Sequence, residues 1–228
     1  MAELDGPRLE PRRGAARQLV VFLHGYGADG NDLIDIGRAW QQILPDAAFV
    51  SPHAPEPCGQ APVGRQWFAL TFRDPDERWL GVNKAAPTLE RFLDAELGRR
   101  GLPPSALALV GFSQGTMMAL HVGLSRTNKP ACIVGYSGML AGAPPPLGAN
   151  APPILLVHGD ADQMIPPGAI FDAATRLGRA GAAVQWHISP GVGHSIDEAG
   201  LALAGLHLTM AFRGLLKRHT AEISCSVG

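Results

Sequence analysis

Three short stretches of the 228-residue chain carry side chains suited to acyl-transfer chemistry: Gly111-Phe112-Ser113-Gln114-Gly115, Gly159-Asp160-Ala161-Asp162, and Gly191-Val192-Gly193-His194. A serine hydroxyl is a poor nucleophile unless a neighbouring base takes its proton and dipoles stabilise the oxyanion that forms. The serine lies in a G-x-S-x-G pattern, preceded by the apolar run Leu107–Val110. Met117, Met118, Leu120, His121 and Leu124 follow it at spacings of three and four. A buried strand, a sharp turn and a helix with one core face are therefore expected, the context of a nucleophile elbow. Side chains two before and two after such a serine would strike the adjoining strand and helix, so glycine suits both places. The turn would lift the Ser113 hydroxyl to the helix N-terminus, where free N–H groups and the helix dipole favour negative charge.

The elements that must position these residues are legible from hydrophobic patterning. Strand-like runs recur at Gln18–Leu23, Ala47–Ser51, Ala106–Val110, Ala131–Ser137, Ile154–His158 and Val184–Ser189. Helical patterns separate most of them: Asn31–Leu44, Lys84–Arg100, Gln114–Arg126, Gly168–Ala180, and Ile196 to about Lys217. The alternation predicts βαβ units, hence an α/β fold with a mostly parallel sheet and helices on both faces. Ligands of such sheets sit beyond the carboxyl ends of the strands, so the loops after each strand hold the candidates.

In those loops serine comes first, then acid, then histidine, the chain order of an α/β-hydrolase triad. His24, His53, His121 and His158 precede the acid and drop out on order. His187 lies within a strand, His207 within the last helix, and His219 near the C-terminal end. His194, in a glycine-flanked loop, is the base this reasoning selects. Of the two acids, Asp162 is preferred because it lies farther beyond the strand end, whereas Asp160 is expected to bond to loop backbone. His24 is read as a brace for its own loop. The backbone N–H groups of Tyr26 and Gln114 are the expected oxyanion donors, one in the loop after the first main strand and one just after the nucleophile.

The long segment Pro52–Asn83 carries Trp67, Phe68, Phe72 and Trp79, and core-edge packing accounts for most of these aromatics. Trp67 is assigned to the substrate pocket, with Met164 and Leu140 as further lining residues. The connection Gly138–Pro153 is too short and proline-rich to build a helical cap over the site, so no large cap domain is expected.

Composition narrows the classes. The chain is 46% hydrophobic and 17% charged with a formal net charge of −1, and no Lys/Arg run exceeds two. These values favour one globular domain over residues 1–228, with residues 1–17 as an N-terminal extension and 219–228 as a flexible tail. They give no reason to expect nucleic-acid binding or stable membrane insertion. Cys58, Cys132 and Cys225 have neither metal-ligand spacing nor an even count, so no metal or other cofactor is expected and a reduced, cytoplasmic setting is the simplest.

Taken together, FLHGYGADGNDL, SPHAP, RQWF, VGFSQGTMMAL, GYSGML, HGDADQMIP and GVGHSI resemble the phospholipase/carboxylesterase family, from about Leu19 to Phe212. The resemblance implies an α/β-hydrolase fold with Ser113 as nucleophile, Asp162 as acid, His194 as base, and Tyr26 and Gln114 as oxyanion donors. Tyr26 stands where relatives commonly have leucine, a change a main-chain donor tolerates. Ala69 stands where many carry aspartate. The expected activity is that of a serine carboxylesterase on short- to medium-chain small-molecule esters. Acyl-protein thioesterase or lysophospholipase activity is the alternative within the class, and a non-catalytic binding protein of the same fold is the alternative outside it. A homodimer is left open.

Overall fold

Runs of Leu, Val, Ile and Phe buried on both faces build the central sheet. A computed structural model describes residues 4–216 except 60, 62, 72, 73 and 75. Its elements in chain order are β1 (Arg8–Leu9), β2 (Gln18–Leu23), α1 (Ile34–Trp40), β3 (Ala47–Val50), β4 (Glu56–Pro57), β5 (Arg65–Gln66), α2 (Glu77–Arg100) and β6 (Leu107–Phe112). There follow α3 (Gln114–Ser125), β7 (Cys132–Tyr136), β8 (Ile154–Gly159), α4 (Gly168–Arg179), β9 (Val184–Ser189) and α5 (Glu198–Phe212). Seven strands form one sheet in the order β1-β3-β2-β6-β7-β8-β9. All neighbours in it are parallel except β1 with β3. The mostly parallel sheet with helices on both faces is the α/β architecture expected from the alternating pattern, and it is the α/β-hydrolase fold that the family resemblance implies.

The sheet separates two apolar layers. On one side α2, α3 and α4 bury Leu89, Phe92, Met118 and Leu177 against Val21, Leu109 and Leu156. On the other, α1 and α5 bury Trp40, Ala204 and Leu208 against Phe22, Val110 and Val157. Because β6 is central, the turn that follows it is held between both layers.

Three departures from the sequence reading concern the site. Helix α2 begins at Glu77, seven residues before the expected Lys84, so Trp79 belongs to its first turn rather than to a loop. The added turns contain Gly81, while Pro87 lies inside the helix within the span already expected. Gly81 is needed there, since a Cβ would lie 2.3 Å from the Phe68 ring. The first seventeen residues are not simply an extension: Arg8 and Leu9 pair with Val50 and Phe49 at the sheet edge. Arg8 is held by buried Glu96, at 2.9 Å. The expected helix from Ile196 to about Lys217 is shorter, Glu198–Phe212. Phe72, His219, Cys225 and the tail 219–228 lie outside the described residues. Among the described residues no helix is long and apolar enough to cross a membrane.

Candidate active site

Strand β6 ends at Phe112 and α3 starts at Gln114, leaving Ser113 alone to turn the chain. Its φ of 54° and ψ of −115° form a strained conformation for a residue with a side chain, kept because the surroundings fix it. The Ser113 N–H donates to the Tyr136 carbonyl of β7 at 2.9 Å. The Thr116 hydroxyl lies 2.8 Å from both the Gly111 and the Tyr136 carbonyl oxygens. The flanking glycines are required by contact. A Cβ on Gly115 would lie 1.8 Å from the Leu23 carbonyl oxygen, and one on Gly111 would lie 2.4 Å from that of Gly115.

The acid and the histidine come from the loops after β8 and β9. His194 Nδ1 lies 2.8 Å from Asp162 Oδ2. The other carboxylate oxygen, Oδ1, accepts the Met164 and Ile165 N–H groups at 2.8 and 2.9 Å. Burial pushes the Asp162 carboxyl up. The Ile165 N–H, His194 and the Met164 N–H outweigh it, leaving the pKa below its ordinary value. Asp162 is therefore an anion at neutral pH. The His194 ring is tilted against Phe112, with ring centroids 5.0 Å apart, so the residue before Ser113 also orients the imidazole. Asp160 accepts the Gly191 N–H at 2.6 Å and is exposed. Its bond is to the loop after β9 rather than to its own.

Neither the Tyr26 nor the Gln114 N–H donates to a protein acceptor among the described residues. Two side chains hold these peptides in place. His24 Nδ1 donates to the Gly25 carbonyl at 2.8 Å while Nε2 accepts the Ala54 N–H at 3.0 Å, which fixes a neutral ring. Burial lowers its pKa to about 4, against an opposing hydrogen bond to Gly25. The Gln114 amide accepts the Trp67 N–H at 2.9 Å and donates to the Phe68 carbonyl at 2.8 Å. Tyr26 presents its phenol to Cys58; burial first, then that hydrogen bond, raises its pKa to about 12.

Ser113, Gln114, His194, Tyr26 and Met164 share one cavity of about 490 Å³, completed by Leu70, Arg78, Met117, Met139, Ile165, Pro166, Gly168 and Ala169. Two expected lining residues stand elsewhere. Trp67 is 2% exposed, its indole N–H donating to the His24 carbonyl at 3.0 Å, so it backs the His24–Tyr26 loop instead of the cavity. Leu140 lines a second cavity of about 380 Å³ with Trp79 and His121. Three contributors escaped the sequence reading. His158, set aside on chain order, has Nε2 3.3 Å from Asp162 Oδ2 and 2.9 Å from the Ile165 carbonyl. Ser137, at a φ of 44°, donates its hydroxyl to the Ser195 carbonyl beside the histidine. Arg78 is hidden by its charged surroundings in the sequence, Asp74, Asp76 and Glu77.

Such a turn, placed at the centre of this sheet with acid and histidine following in order, is the arrangement of an α/β-hydrolase. Residues 4–211 match the phospholipase/carboxylesterase family model, and the chain belongs to that family of hydrolases acting on carboxylic esters. It is 32% identical to esterase YpfH of Escherichia coli strain K12 over 193 residues, covering 85% of this chain and 82% of that protein. It is 28% identical to acyl-protein thioesterase 1 of Gibberella zeae, over 83% of this chain and 88% of that one. The crystal structure of esterase PE8 superposes with a TM-score of 0.86 at 40% identity, covering 94% of this chain and all of that one.

Proposed function

We propose that the protein is a serine carboxylesterase that hydrolyses short- to medium-chain esters through an acyl-enzyme. The observation that carries this reading is the juxtaposition, in one cavity, of strained Ser113 and of His194, whose far nitrogen is held by the Asp162 carboxylate. The Ser113 oxygen attacks the ester carbonyl while His194 Nε2 takes its proton. The carbonyl oxygen becomes an oxyanion held by the Tyr26 and Gln114 N–H groups. Collapse breaks the bond to the alcohol, which leaves with the proton from Nε2. Water then attacks the acyl-serine by the same route, releasing the acid and restoring the hydroxyl. Asp162 keeps the Nδ1 proton in place and stabilises the imidazolium.

The substrate range follows from what covers the site. Between β7 and β8 the only helical element among the described residues is a single turn, Gly148–Asn150. Met164, 69% exposed, stands on the cavity wall, so the site is open on that side. Each acyl methylene buried adds up to ~0.8 kcal/mol, about fourfold in rate, until the wall ends. The likeness to an acyl-protein thioesterase brings thioesters into the same reading, since the chemistry at the carbonyl is shared. Rates for oxyesters and thioesters matched in acyl chain, from two to sixteen carbons, test it. A rise followed by a plateau at medium length, with oxyesters at least as fast, is expected. Steadily rising rates through sixteen carbons, or a strong preference for thioesters, would reject the assignment.

A further inference from the structure

Among the described residues, the wall of the catalytic cavity is apolar except for the reacting groups and one permanent charge, the Arg78 guanidinium. Arg78 is half-buried at the second residue of α2. The other half-buried arginines all have protein partners. Arg8 and Arg100 bond to Glu96, Arg126 to Asp94, Arg176 to Asp172, and Arg65 to the Ala54 and Pro55 carbonyls. Arg78 alone has neither a carboxylate nor a carbonyl partner among the described residues. Its sequence neighbours do not neutralise it directly: Glu77 is engaged by the Thr71 N–H and hydroxyl, and Asp74 accepts the Asp76 N–H. No carboxylate stands on the cavity wall among the described residues.

A guanidinium drawn partly out of water without a partner is costly, and it offers a planar set of donors matched to carboxylate or phosphate. We infer that Arg78 is a specificity residue that selects esters carrying an anionic group, carboxylate or phosphate, remote from the scissile carbonyl. This rests on the serine-esterase reading for the location of the carbonyl. One charge-assisted hydrogen bond at a partly exposed site corresponds to about tenfold or more in discrimination.

The test uses two pairs of esters. Monoethyl adipate against ethyl hexanoate places the anion on the acyl side. The butyrate of 2-hydroxyethyl phosphate against 2-methoxyethyl butyrate places it on the alcohol side. For at least one pair, wild-type kcat/KM should favour the anionic member about tenfold or more. Arg78→Gln should bring that ratio near one, and Arg78→Lys should keep part of it. The pair that responds identifies the side of the ester the arginine reads. Binding of the same four compounds to Ser113→Ala, with and without Arg78→Gln, is measured by calorimetry and separates the two claims. Loss of the anionic compound's advantage on removing Arg78 supports the inference whatever the turnover. Equal binding with and without the guanidinium, in both pairs, overturns it. A wild-type enzyme that turns over none of the four would instead count against the serine-esterase reading.

Discussion

Replacing Asp162 by asparagine should damage catalysis far more than the same change at Asp160, and the hydrogen bonds say why. Asp162 Oδ1 accepts two backbone N–H groups, so an asparagine there would keep its carbonyl oxygen at that position. Its NH₂ would then occupy the Oδ2 position, 2.8 Å from His194 Nδ1 and 3.3 Å from His158 Nε2. A donor facing Nδ1 forces that nitrogen to accept, which moves the imidazole proton to Nε2. In that tautomer Nε2 has no lone pair for the Ser113 proton. Tautomer inversion in a triad costs about 10⁴-fold in kcat, or ~5 kcal/mol of transition-state stabilisation. Asp160 is exposed and makes one bond to the Gly191 N–H, which an asparagine carbonyl can still accept. That variant should keep kcat/KM within about threefold and lose at most ~1 kcal/mol of stability. Steady-state hydrolysis of a chromogenic short-chain ester reads both variants, with thermal melts to confirm folding. The reasoning fails if Asp160→Asn is the more damaging change, or if folded Asp162→Asn keeps more than a tenth of wild-type kcat.

Gly115→Ala would press a methyl group to 1.8 Å from the Leu23 carbonyl of β2 and should cost about 3 kcal/mol or more, read as a fall in the urea midpoint. An unchanged midpoint would show that the elbow is looser than its geometry implies. Burial lowers His24 and His207 from 6.5 to about 4, so the unfolded chain takes up protons at these sites before the folded chain does. Their stabilising effect is fully present above about pH 6.5 and is lost as the pH falls toward 4. At pH 5 this amounts to ~2 kcal/mol per histidine, or about 4 together. The lowered Asp162 carboxylate loses its stabilising effect only as pH falls below the ordinary carboxyl range, so urea unfolding at pH 7.5 and 5.0 isolates the histidines. Equal stability at the two pH values would contradict their burial as neutral rings.

The sequence was most informative where local pattern and tertiary demand coincide. Leu107–Val110, the glycines around Ser113 and the spacing after it reveal strand, turn and helix because each residue type answers a steric need within a few positions. The order of the loops revealed Asp162 and His194, which meet across 32 residues. What stayed hidden depends on distant partners. The pairing of Arg8 with Glu96 spans 88 residues and holds an edge strand of only two residues. The early start of α2 stayed hidden as well: Gly81, in the turns before Lys84, is pressed so closely against the Phe68 ring that a Cβ would lie 2.3 Å from it. Trp67 looked like a pocket residue because it is large and lies in an irregular segment, yet its indole N–H is satisfied inside by His24. Arg78 looked like one more charge in an acidic, polar stretch. Only the folded arrangement shows that it faces the cavity without a partner.

The central claim is that Ser113 is the nucleophile, and covalent capture tests it most directly. The protein is treated with a fluorophosphonate, which phosphonylates activated serines, and the product is followed by intact mass and then by peptide mapping. One adduct per chain is expected, on the Ser113 hydroxyl, absent from Ser113→Ala and formed much more slowly in His194→Ala. A folded wild-type protein that stays unlabelled, or one labelled at another residue with Ser113 untouched, would contradict the assignment.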